Sequence, residues 1–121
     1  MALHLALYYE QPEFAALCIK KGADIHARSD GEWSPLHHAA KHGFVDIARM
    51  LVRKGADLET RTDCGWTPLQ LAVWEGHENV VRLLVTEGAD VSAVLPDGRT
   101  PLMLARQRQF ASIESMLKES E

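Results

Sequence analysis

Two cysteines in 121 residues, Cys18 and Cys64, lie far apart and outside any CxxC or Cys/His spacing, which leaves neither a disulfide framework nor a zinc site to expect. A reducing, intracellular setting, cytoplasmic or nuclear, matches that scarcity. Long apolar runs are missing too. Nowhere does the chain approach the roughly 18 consecutive apolar residues that a membrane span needs. Its start, MALHLALYYE, has no basic region and no small-residue cleavage site. No membrane is expected. Charge of one sign is not in large excess: 13 basic and 17 acidic side chains give a formal net charge of −4, which supplies no general attraction to phosphate backbones or anionic membranes. GxGxxG, P-loop, GxSxG and HExxH are all absent, and the carboxylates are spread over helix starts and turns. The expectation is a protein without a catalytic site, a cofactor or a metal. What remains is an ordinary globular composition, 46% hydrophobic and 25% charged, enough for one domain.

The chain does have a period. Ser34-Pro35-Leu36, Thr67-Pro68-Leu69 and Thr100-Pro101-Leu102 recur every 33 residues, and Gly22-Ala23-Asp24, Gly55-Ala56-Asp57 and Gly88-Ala89-Asp90 keep the same interval. A fixed period decides architecture before any propensity does. Shifting the register back once more sets Met1-Ala2-Leu3-His4 under Ser34-Pro35-Leu36-His37. The divisions are a partial repeat 1–28, repeats 29–61 and 62–94, and a C-terminal capping repeat 95–121, together one domain over 1–121.

Each letter has a physical task. In Thr67-Pro68 a hydroxyl stands at a helix N-cap, ahead of a residue whose fixed φ suits the first helical position. Leu69, Leu71 and Ala72 make the apolar side of a short helix that Gly76 ends. A second helix follows with Val80, Val81, Leu83, Leu84 and Val85 inside. Gly88 then closes that helix, and 91–99, containing Asp97-Gly98, reads as an extended turn towards the next repeat. In the first complete repeat the turn glycine is Gly31, one place early, with Glu32 in the usual glycine position. A differently shaped turn is expected there.

SPLHHAA, TPLQLAV and TPLMLAR, with GADIHA, GADLET and GADVSA in phase, resemble the ankyrin repeat family over essentially the whole chain. The resemblance implies an all-α solenoid of helix-turn-helix units with β-turn, hairpin-like fingers. It also implies a concave face of fingers and first helices that usually binds another protein and rarely catalyses. His4 and His37 stand in the TPLH column, where the resemblance implies a ring bridging neighbouring turns.

The two ends differ. Val73, Val81 and Val85 become Arg106, Glu114 and Lys118 in the last repeat, so positions that a following repeat would cover have turned charged. The stack is expected to end at Glu121. At the other end Met1-Ala2 replaces the cap hydroxyl and proline, and Leu3, Leu5 and Leu7 begin a helix with no turn before it. The start reads either as a trimmed piece of a longer array or as a half-repeat that leaves an apolar edge, through which an otherwise monomeric protein would self-associate.

Against these fixed columns others change freely. Trp33, Trp66 and Arg99 share the position before the cap. Tyr8, Lys41, Trp74 and Gln107 share the end of the first helix, followed by Tyr9, His42, Glu75 and Arg108. Five of the eight aromatics fall here, whereas Phe14, Phe44 and Phe110 fall where second-helix packing explains them. Rings on an open face cost solubility and, with arginine, are the usual anchors of interfaces. The expected site is therefore a protein-binding groove with an aromatic centre and a basic end at Arg99 and Arg108. The alternatives are a module for nucleic acid or another polyanion, and a regulatory domain of a larger enzyme or ubiquitin-ligase adaptor. His38 and His42, four apart, lack a third metal ligand. His38 stands in a leucine column and reads as a partly buried ring satisfied by a backbone group. Cys18 aligns with Leu51, Leu84 and Leu117 and reads as a core residue, and Cys64 as an exposed thiol at a turn tip.

Overall fold

A computed structural model describes residues 2–120; Met1, at the cap register of the first helix, and Glu121 lie outside them. Eight α-helices form four antiparallel pairs: α1 (Ala2–Tyr8) with α2 (Pro12–Lys20), α3 (Pro35–His42) with α4 (Val45–Arg53), α5 (Pro68–Glu75) with α6 (Glu78–Thr86), and α7 (Pro101–Arg108) with α8 (Ala111–Glu119). The described residues contain no strand. First helices pack on first helices and second on second, so the molecule is the two-layered helical solenoid that the period implies. Leu36, Leu51, Leu69, Leu84, Leu104 and Leu117 fill the space between the layers at 1% exposure or less.

The caps form as the sequence dictates. Ser34, Thr67 and Thr100 have extended backbones, and their hydroxyls accept the backbone N–H of His37, Gln70 and Met103 at 3.3, 3.2 and 3.2 Å. Proline follows each, at a position with no N–H bond to lose. Asp24, Asp57 and Asp90 accept the N–H two residues on, each at 2.9 Å, which turns the chain out of its second helix. Gly43 and Gly76 end α3 and α5 at φ 74° and 78°, and a Cβ on either would meet a ring of the next repeat, His77 at 2.6 Å or Phe110 at 2.8 Å. In the same register Gln109 takes φ 61° with no such ring among the described residues.

Three fingers reach from the second helices to the next cap. Each closes through a backbone N–H to the carbonyl four residues on: Ser29 to Trp33 (2.8 Å), Thr62 to Trp66 (3.0 Å) and Leu95 to Arg99 (2.9 Å). The first finger differs, as its displaced glycine suggests. Gly31 takes φ 76°, ψ 12°, the conformation a type II turn needs, and Glu32 is forced to φ 62°.

Polar side chains stitch finger to finger. One nitrogen of Arg28 donates to the carbonyls of Glu32 (3.0 Å) and Arg61 (2.8 Å), and Arg61 does the same to Gly65 (2.9 Å) and Val94 (2.8 Å). Inside the stack, His37 Nδ1 accepts the Ser34 N–H (3.1 Å), so its Nε2–H donates to the Trp66 carbonyl (2.8 Å). Gln70 repeats this with different atoms. Its Oε1 accepts the Thr67 N–H (2.8 Å) and its Nε2 donates to the Ala93 carbonyl (3.0 Å). In the last repeat the two registers hold Val94 and Met103, which carry no such donor. His4 lies in the same column, but neither of its ring nitrogens finds a partner among the described residues, although the ring is buried.

The first and last described repeats differ in what they leave exposed. Arg106, Glu114 and Lys118 satisfy one another across α7 and α8, at 3.4 Å for Arg106–Glu114 and 3.3 Å for Lys118–Glu114. At the other end Leu5, Phe14 and Leu17 stand 56%, 51% and 48% exposed. Two expectations need correcting here. Phe14 is not accounted for by packing: its register mates Ile47, Val80 and Ile113 are buried against the repeat before them, and no such layer exists among the described residues. Cys18 is half-buried, lining a recess of about 410 Å³ with Leu3 and Lys21, because a thiol does not fill the volume its leucine counterparts fill.

Candidate functional site

The variable columns fold together as three rungs. A finger bends back over the first helix that follows it, so the residue before the cap meets the residue eight places later. Lys41 Nζ lies 5.5 Å from the centre of the Trp33 ring. Trp66 and Trp74 meet edge to face with centroids 6.2 Å apart. Arg99 Nη1 donates to Gln107 Oε1 at 3.0 Å. All three tryptophans are half-buried, each with one side on the core and the other open.

The rungs are not separate. Arg99 and Arg108 both lie over Trp74, with guanidinium carbons 5.7 and 4.8 Å from its ring centre, and Arg108 also lies 5.4 Å from Phe110. Arg99 is held besides by Asp97, whose Oδ2 accepts its Nε–H at 2.9 Å. The Arg99 backbone N–H, which Asp97 also accepts, and then that side-chain contact hold the Asp97 carboxyl below its ordinary range. Trp66, Trp74, Arg99, Gln107 and Arg108 thus form one continuous patch. Glu75 is exposed on the same helix and makes no ion pair or side-chain hydrogen bond among the described residues.

The other half of the site surrounds Trp33. A recess of about 600 Å³ opens between α1, the first finger and α3, lined by Leu5, Tyr8, Trp33, His38, Lys41 and His42 among others. Tyr8 and Tyr9, 65% and 66% exposed, meet each other edge to face at 5.1 Å, and only Tyr8 lines the recess. His42 stacks on Phe44 at 5.4 Å, and its Nδ1 lies 3.4 Å from Glu10 Oε1.

His38 finds a side-chain partner where a backbone group was expected. Its Nε2 is 3.2 Å from Ser29 Oγ, whose own proton goes to the Trp33 carbonyl (3.3 Å), so the imidazole donates and the Trp33 ring covers it at 5.1 Å. Burial pushes the His37 and His38 imidazoles down to about 4, and lowers those of His4 and His42 as well. Both His38 and His42 are engaged elsewhere, and the described residues hold no group of three or more His, Cys, Asp or Glu suited to a metal. Cys64 is exposed at its finger tip.

Phe110 packs against the core as its column implies, and it also reaches the site, which the column does not reveal. Half-buried at the start of α8, it covers Gly76 and supports Arg108. Its register mates Phe44 and His77 also carry flat rings, and that was the available signal.

Comparison with known proteins follows the same lines. A family model described as ankyrin repeats (3 copies) matches residues 3–94 and 61–121. Among curated proteins, Protein phosphatase 1 regulatory subunit 27 from Homo sapiens is 46% identical over 46 residues, which is 38% of this chain and 30% of that protein. The subunit of the same name from Mus musculus matches with the same figures. The matched segment spans less than a third of those relatives' length. No described helix is long and apolar enough to cross a membrane.

Proposed function

The chain belongs to the ankyrin repeat family, and from that premise we propose that it is a non-catalytic adaptor module whose finger-side face, the concave one in such stacks, binds another protein. One observation carries this reading. The exposed columns that change between repeats converge into rungs of half-open rings and cations along a single face, whereas the columns that hold are consumed by caps, turns and core. Rings with one open side and arginines lying over them are the groups that anchor interfaces, since they bring large apolar area to the contact at little cost in conformational freedom. The curated relatives are regulatory subunits by name, which fits an adaptor role. Their phosphatase is not carried over as the partner, because the shared 46 residues amount to little more than one repeat of scaffold.

Affinity capture at physiological salt, with the native chain beside a Trp33→Ala, Trp66→Ala, Trp74→Ala variant, tests the reading. Specific proteins are expected to be lost with the variant while its circular dichroism stays helical. Their binding should weaken only modestly as salt rises, since an aromatic-centred interface releases few counterions. Capture that survives the three substitutions contradicts the reading. A steep fall of affinity with salt would replace it with polyanion binding.

A further inference from the structure

We propose that the Trp74 end of this face recognises carboxylate side chains in an acidic stretch of the partner protein, with Arg108 as the anchoring group and Arg99 beside it. The inference rests on the protein-binding reading above and names the chemistry of one half of the site.

The argument begins with how the arginines are used. Arg28 and Arg61 are consumed by finger carbonyls, Arg49 by Asp46 (3.0 Å), Arg82 by Asn79 (3.3 Å), Arg99 by Asp97 and Gln107, and Arg106 by Glu114. Arg108 has no hydrogen bond or ion pair among the described residues. Arg53, exposed at the end of α4, also lacks one, but it lies against no ring. Arg108 is therefore the arginine that is both unpaired and held in place, with Trp74 on one contact and Phe110 on another. A guanidinium that lies over ring faces makes no hydrogen bond to them and keeps its five N–H donors, arranged as a fork, for another partner. That fork matches a carboxylate in two parallel hydrogen bonds, and less side-chain freedom is lost on binding because the rings have already restricted it.

A second observation points the same way. Arg99 and Arg108 bring two positive charges to one indole, and only Arg99 has a carboxylate of its own. An anion arriving beside Arg108 relieves that repulsion and gains both attractions. Glu75 on the same helix would repel it, and therefore sets the side from which an acidic chain approaches. The apolar edge of Trp66 continues the patch, so an apolar residue next to the acidic ones in the partner has a surface to cover.

The probe is a short acetylated and amidated peptide alternating glutamate and serine. A glutamine-serine peptide of equal length is the neutral control, and inorganic phosphate is titrated separately. Arginine Nε and tryptophan indole resonances are followed by nitrogen–proton correlation NMR. Saturable shifts are expected at Arg108 and Trp74 with the glutamate peptide, little or none with the control, and none at Arg53. Arg108→Ala should weaken the apparent affinity about tenfold, and Arg108→Lys several-fold, because lysine keeps the charge and loses the fork. Unchanged circular dichroism shows that the fold survives each substitution. Equal shifts at Arg53 and Arg108, shifts that persist in Arg108→Ala, or a response to phosphate without one to the glutamate peptide would each overturn the proposal. Should the peptide fail while the tryptophan variant still loses its captured proteins, the acidic preference falls and the protein-binding reading stands; should capture also ignore the tryptophans, that reading falls too.

Discussion

Replacing His37 by alanine should lower the unfolding free energy by about 3 kcal/mol or more, whereas replacing it by glutamine should cost under about 1 kcal/mol. The difference follows from what the ring does. His37 is fully buried, accepts the Ser34 N–H with Nδ1 and gives its Nε2–H to the Trp66 carbonyl. Alanine leaves the buried Ser34 N–H without an acceptor, strips the Trp66 carbonyl of one of its two donors, since only the Thr62 N–H remains, and opens a cavity beside them. Glutamine has an acceptor and a donor at the matching positions, as Gln70 demonstrates one repeat later with its bonds to Thr67 and Ala93. Chemical denaturation of the three proteins at pH 7.5 measures both values. Equal losses for alanine and glutamine would show that the ring matters for its shape and not for its hydrogen bonds.

Acid should unfold the protein well before its carboxylates are all protonated. The His37 and His38 imidazoles titrate at about 4 in the fold because burial disfavours their charged form, against an ordinary value of 6.5. A depressed folded value means that the unfolded chain takes up protons first. The stability these groups carry is whole above about pH 6.5 and is lost as pH falls from there towards 4. At pH 4.5 the loss is roughly 2 to 3 kcal/mol for each ring, a large part of the 5–15 kcal/mol typical of a domain. His4 and His42, lowered less markedly, act in the same direction. His38→Leu should remove its share, since Leu71 and Leu104 already occupy that column and both are buried. Unfolding free energies measured from pH 7.5 to 4.5 should therefore fall less steeply in this variant than in the native chain. Parallel curves would place the acid sensitivity elsewhere.

The period made most of the fold legible, because caps, glycines and GAD turns act locally and repeat without regard to what surrounds them. What the letters did not reveal depends on neighbours across the stack. Phe14 stands exposed in a column that is buried in every later repeat, and Cys18 leaves unfilled the volume that its leucine counterparts occupy. Arg28 and Arg61 find their carbonyl partners only when two fingers lie side by side and each guanidinium spans them. The candidate site was legible as a set of columns and not as an arrangement. Trp33 and Lys41, Trp66 and Trp74, and Arg99 and Gln107 are each eight residues apart, a spacing without meaning until the finger folds over the helix. Gathering Arg99 and Arg108 around Trp74 requires the next repeat as well, and no single-repeat reading contains that contact.

The claim that the finger-side face meets the partner is tested most directly by site-specific photo-crosslinking. A photoreactive phenylalanine analogue is placed at Gln107 on that face in one protein, and at Arg82 on the second-helix layer in another, and both are irradiated with a binding partner recovered by capture. Adducts at Gln107 and none at Arg82 are the expected result. Adducts at Arg82 alone would contradict it and move the interface to the second-helix layer.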